Sequence, residues 1–116
     1  MPVIEKRDLY ENGRTKRKYF VDENGIKQGR FVEYFKDGSL MHETNYKDGK
    51  ENGAVVVYEK NEIIKFRGEH KNGKRDGVFY FGENIEFYME GKKCNEEEYK
   101  TYLIKKRFQD NETKAE

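Results

Sequence analysis

The sequence predicts a mainly β fold: an elongated, twisted antiparallel sheet of tandem β-hairpins closed by a C-terminal capping α-helix. Three observations predict it. Gly25, Gly49 and Gly73 stand 24 residues apart, and so do Gly29, Gly53 and Gly77. Each glycine pair is followed by β-forming residues, Phe31 to Phe35, Val55 to Tyr58 and Val78 to Phe81. After the last copy comes Asn95-Glu96-Glu97-Glu98-Tyr99, which reads as a helix start.

Self-similarity at a fixed period marks a repeat array. RFVEYFKDGSLMHETNYK (30–47) aligns without a gap with AVVVYEKNEIIKFRGEHK (54–71), setting Leu40 on Ile64, Tyr34 on Tyr58 and Tyr46 on His70. A third copy, VFYFGENIEFYMEGK from Val78, is six residues shorter and puts Tyr88 and Gly91 where Tyr46 and Gly49 stand. Tyr10 to Arg14, YENGR, repeats the tyrosine-to-glycine spacing once more. The chain therefore divides into one repeat domain over 1–108 and a polar tail over 109–116 expected to fray. Within the domain, a degenerate copy over 9–23 precedes copies over 24–47, 48–71 and 72–93, and the helix covers 95–108.

Each copy reads as a hairpin. The first strand meets a turn signal at Lys36 to Gly38, Lys60 to Glu62 or Gly82 to Asn84. The second strand sets Leu40, His42, Thr44 and Tyr46 on one face, or Ile64, Phe66, Gly68 and His70. Asp48-Gly49 and Asn72-Gly73 supply the positive φ that tight turns need, letting the chain pass from one hairpin to the next. A lone hairpin is marginal in water, so neighbours must stack. In the helix, Asn95 and Glu98 form a capping box, with acids at its start and Lys105, Lys106 and Arg107 near its end. Tyr99, Tyr102, Leu103 and Lys106 are expected to face the last hairpin.

Composition agrees with order. Hydrophobic residues at 34%, charged residues at 41% and a mean hydropathy of −1.23 would suit a disordered chain, but nine Tyr, eight Phe and a single Pro do not. A chain of 116 residues is one domain. Its net charge of +1 argues against nucleic acid as the partner. Cys94 is alone, which excludes a disulfide framework and a Cys-based metal site. No run approaches the ~18 apolar residues of a membrane span, and Met1 to Asp8 lacks a signal-peptide core, so a cytoplasmic protein is expected.

Few residues could do chemistry. His42 and His70 can share a face, but two half-buried histidines read as packing. Cys94, where a helix start can lower a thiol pKa, reads as a small helix-start residue. Ser39 has no base spaced to activate it. No enzyme activity, cofactor or metal is expected. Binding is the more informative prospect. Phe31, Glu33 and Phe35 face one way and Val32 and Tyr34 the other, so both faces carry apolar side chains. Either packing covers both faces, or Tyr34, Tyr58 and Tyr80 form an exposed row for a protein partner or a second copy, which the open sheet edges would also admit. The alternative is an acidic lipid headgroup or other anion held by Arg14, Lys16, Arg17 and Lys18 together with the Lys and Arg in each connection; a membrane surface is the minor prospect.

Phe66 to Gly77, FRGEHKNGKRDG, resembles the MORN repeat, whose core runs aromatic-x-G-x-aromatic-x-x-G-K-x-x-G. His70 replaces one aromatic; Tyr46 to Gly53 matches the later half, with Thr44 at the upstream glycine. The long linkers and the period are most similar to the variant group common in bacterial and phage proteins, where a short E-E-x-aromatic helix such as Glu96 to Tyr99 ends the array. The resemblance spans residues 9–104. It implies a sheet of successive hairpins used for protein association or scaffolding; binding of acidic lipid headgroups has also been proposed for the family.

Overall fold

The structure, a computed structural model, describes residues 2–115, with side chains described through Gln109. Its elements are β1 (Ile4–Leu9), β2 (Thr15–Val21), β3 (Gly29–Tyr34), β4 (Leu40–Lys47), β5 (Lys50–Glu51), β6 (Gly53–Tyr58), β7 (Ile64–Lys71), β8 (Lys74–Arg75), β9 (Gly77–Phe81), β10 (Asn84–Met89), β11 (Lys92–Cys94) and α1 (Glu96–Ala115). The long strands follow one another across a single open antiparallel sheet, β1-β2-β3-β4-β6-β7-β9-β10-β11, with β5 returning onto β4 and β8 onto β7. The molecule measures 51 × 39 × 18 Å. Its radius of gyration is 17.2 Å, against about 13 Å for a compact chain of this length. This is one elongated layer.

Two kinds of turn recur along the array. Asp48-Gly49, Asn72-Gly73 and Glu90-Gly91 all have positive φ at both residues, the type I′ geometry that matches strand twist. Phe35 and Ser39 instead close a three-residue loop, Phe35 N–H donating to the Ser39 carbonyl at 2.8 Å, with Gly38 left-handed at φ 93°. Tyr10 and Arg14 close a loop of the same form at 2.8 Å. The YENGR stretch therefore turns within the first hairpin and is no link between copies, and that hairpin starts at Ile4, ahead of residue 9.

The first three hairpins each carry a bulge: the register slips between Asp8 and Leu9, Glu33 and Tyr34, and Val57 and Tyr58. Residues 58–65 bridge Val57 to its partner Phe66, whereas residues 82–83 alone bridge Phe81 to Asn84. The six residues missing from the third copy are thus one rung, the bulge and most of the loop.

Copies are joined by a recurring hydrogen bond. Gly49, Gly73 and Gly91 donate their N–H to the carbonyls of Lys27, Glu51 and Arg75 at 3.0, 2.8 and 2.7 Å. Beside it, the N–H of Asp48, Asn72 and Glu90 donates to the side-chain oxygen of Gln28, Asn52 and Asp76 at 3.0, 3.3 and 3.4 Å. The polar residue before each second glycine thus caps the next turn.

At the C-terminus, Glu98 N–H donates to Asn95 Oδ1 at 2.8 Å and Asn95 N–H to Glu98 Oε1 at 3.1 Å, the expected capping box. The helix packs on β10, with Tyr99 and Phe87 ring centroids 5.3 Å apart. Leu103 departs from expectation. It is 43% exposed, and Tyr102 and Lys106 instead converge on buried Asp76. The helix also continues past Phe108 to Ala115, since Gln109 to Ala115 holds no glycine or proline to stop it; Glu116 lies outside the described residues.

Candidate functional site

The sheet has two unlike faces. One, the ring face, carries Phe31, Val55 and Phe79, with Phe79 fully buried. Gly68 is the reason. An added Cβ there would stand 2.4 Å from the Phe79 ring, so the ring lies directly on bare backbone. Phe31 packs with Tyr19 and Tyr46, each at 5.6 Å, and Phe79 with Tyr88 at 5.3 Å and Phe81 at 6.2 Å.

Cations cap both clusters. Lys27 Nζ stands over Tyr19, Phe31 and Tyr46 at 5.6, 5.3 and 5.1 Å. Arg75 stands over Phe79, Phe81 and Tyr88 at 5.0, 5.7 and 5.2 Å. Each such contact adds roughly 0.5–2 kcal/mol of attraction. Residue 51, at the same repeat position, is Glu51, and faces His70 Nδ1 at 3.3 Å without hydrogen-bond geometry. Burial holds the His70 imidazole below its ordinary pKa of 6.5, with Glu51 pulling the other way. His42 pairs with Glu33 at 3.6 Å on this same face. Among the described residues no three His, Cys, Asp or Glu are placed to share a metal ion.

The opposite face carries Val32, Tyr34, Val56, Tyr58 and Tyr80. One ladder crosses eight strands through Arg7, Lys18, Val32, Glu43, Val56, Arg67, Tyr80 and Ile85. Tyr34, Tyr58 and Tyr80 are all half-buried on this face, but not in one row. Tyr80 falls in register with Val32 and Val56, because the shortened third hairpin lacks the rung that Tyr34 and Tyr58 occupy. Arg67 lies flat on Tyr80, its guanidinium carbon 4.1 Å from the ring centre. The start of α1 covers only the end of this face, where Tyr99, Tyr80, Arg67, Val56 and Val78 line an open hollow of about 360 Å³.

The four basic residues singled out by the sequence do not act as one cluster. Arg17 Nε pairs with Asp8 at 3.2 Å on the ring face, and Lys18 points to the tyrosine face, 3.9 Å from Glu5. Lys16, at the bulge, leans over the Tyr10 ring at 5.8 Å. Arg14 Nη1 donates to the Asp37 carbonyl. Two of them, Arg14 and Lys18, do meet Tyr34 and Thr15 in a shallow cleft of about 420 Å³ on the tyrosine face. The third cation there, Arg7, was missed by sequence reasoning. It lies in Ile4-Glu5-Lys6-Arg7-Asp8-Leu9, before the first glycine, a stretch with no apolar alternation to mark it as a strand.

Two other groups are structural. Burial, then the Glu98 carboxylate, push the Cys94 thiol up, the opposite of an activated nucleophile. Asp76 accepts from Tyr102 Oη at 3.2 Å and lies 3.7 Å from Lys106 Nζ, which anchors the helix. Burial and that hydrogen bond push the Tyr102 phenol up to about 12. No described helix is long and apolar enough to cross a membrane. Comparison with protein-family models, curated proteins and solved structures gives no match.

Proposed function

We propose that the chain is a non-catalytic binding module, a repeat-built sheet that offers its tyrosine face to a protein partner. The contrast between the faces carries this reading. Lys27 and Arg75 cap the ring face, whereas on the tyrosine face Arg67 covers Tyr80 and, among the described residues, no cation stands over the Tyr34 or Tyr58 ring. Aromatic side chains on a rigid support supply large contact area at little entropic cost, and they dominate measured interface energies. The resemblance to MORN repeats points the same way. An anion reading built on Arg14, Lys16, Arg17 and Lys18 has less support, because alternation separates Arg17 from Lys18 and Asp8 already pairs with Arg17.

Capture from an extract of the native host tests this. The wild-type chain should retain a protein that a Tyr34→Ala/Tyr58→Ala chain binds at least tenfold more weakly, about 1.4 kcal/mol, and 0.5 M salt should change that little. Equal capture by both chains would overturn the assignment of the face. Saturable, salt-sensitive binding to acidic vesicles with no captured protein would restore the anion reading.

A further inference from the structure

Resting on the protein-binding reading, we propose that the free edge of β1 accepts an extended, acidic segment of the partner as a further strand, with Arg7 and Lys18 reading its acid. Among the described residues β1 neighbours only β2, so one side of its backbone has no strand partner there. Such an edge is a template for β-strand addition. The opposite edge is less suited, since β11 has three residues and leads directly into α1.

The charges on β1 disfavour a second copy only in part. An antiparallel twofold pairing of two β1 strands keeps like faces together, so one residue meets its own copy across the axis. At 5, 6, 7 or 8 that residue is Glu5, Lys6, Arg7 or Asp8, so each register keeps one like-charge pair, although about Lys6 or Arg7 two opposite pairs flank it, Glu5 with Arg7 or Lys6 with Asp8. Pairing about Ile4 or Leu9 leaves half the strand unused.

A different chain escapes this. On the tyrosine face, β1 presents Glu5, Arg7 and Leu9, and Arg7 is the first residue of the ladder that continues to Lys18. Arg7, Lys18 and Arg14 share the cleft with Thr15 and the Tyr34 ring. Glu5 pairs with Arg7 at 3.4 Å and Lys18 at 3.9 Å, and the Asp37 carboxylate lies near Arg14, which leaves three cations to two carboxylates. An incoming acid opposite Arg7, carboxylate or phosphate, lies beside Arg7 and one strand from Lys18. Leu9, 58% exposed, then favours an apolar residue two positions from that acid.

Selection of random twelve-residue peptides on the full chain tests the inference. Enriched peptides should carry an acid two positions from an apolar residue and slow amide hydrogen exchange in β1. They should bind an Arg7→Glu/Lys18→Glu chain at least tenfold more weakly, and lose affinity between 50 and 300 mM salt. Arg7 is exposed, Lys18 is half-buried and both pair with Glu5, so a thermal melt establishes that the variant is folded before its binding is scored. Failure to enrich, non-acidic winners, undiminished binding to the variant, or protection away from β1 would each overturn the edge site. So would a dimer, seen by light scattering, that the double variant abolishes. If the peptides fail while capture still depends on Tyr34 and Tyr58, the edge site falls and the binding-module reading stands.

Discussion

Copies 24–47 and 48–71 share one strand register and differ in their fillings. In the first, Phe31 pairs with Thr44, Gly29 with Tyr46 and Tyr34 with Leu40; in the second, Val55 pairs with Gly68, Gly53 with His70 and Tyr58 with Ile64. Every rung matches at an offset of 24 residues. Yet Phe31 fills its own copy above Thr44, whereas Val55 and Gly68 leave a space that Phe79 of the next copy fills. The repeat is a backbone template, and volume is balanced between neighbours. A residue's role therefore depends on the copy beside it.

Gly68→Ala should have the largest effect. Its Cβ meets the Phe79 ring, so denaturant melts should show a loss of about 1–3 kcal/mol, with Phe79→Leu restoring part of it in the double variant. A harmless alanine would mean the close approach carries no stability. The equivalent loops come next. Gly38 sits at φ 93° and its counterpart Glu62 at φ 64°, a strained position for a residue with a side chain. Glu62→Gly should gain, and Gly38→Ala lose, roughly 1 kcal/mol. Changes of the same sign would separate the two loops after all.

Thr44 is a smaller case. It is fully buried and its hydroxyl finds no hydrogen-bond partner, so Thr44→Val should stabilise by about 0.5–1 kcal/mol. The smallest effect is one of pH. Burial lowers the folded pKa of His70 below 6.5, so the folded state binds fewer protons than the unfolded chain once pH falls under that value. The stability His70 contributes is complete above pH 6.5 and is lost on acidification. His70→Tyr, which installs the residue found at Tyr46, should flatten the melting-temperature profile between pH 7 and 5. An unchanged slope would place the acid sensitivity elsewhere.

Much of the fold was legible from glycine alone. Positive φ at Gly25, Gly29, Gly49, Gly53, Gly73 and Gly77 is a local property, and spacing reports it without knowledge of neighbours. The capping box was legible for the same reason. Leu103 was misplaced because helical periodicity gives a face but not its partner, and beside the Phe87 ring that partner proved to be the buried carboxylate of Asp76. Tyr80 was aligned by residue type with Tyr34 and Tyr58; counting from Gly77 would have set it on Val56. The candidate site was legible in part, since Tyr34, Arg14 and Lys18 were named but on separate grounds, and Arg7 was not.

What the chain alone determined was where it turns and which residues alternate, because φ preferences and the two-residue strand period act within a few bonds. Only the assembled sheet decided that Phe79 rests on Gly68, that Lys27 and Arg75 close one face, and that Arg7 joins Lys18, Arg14 and Tyr34 on the other. Those contacts join residues from different hairpins, and cross-strand register, absent from any local stretch of sequence, sets which of them meet.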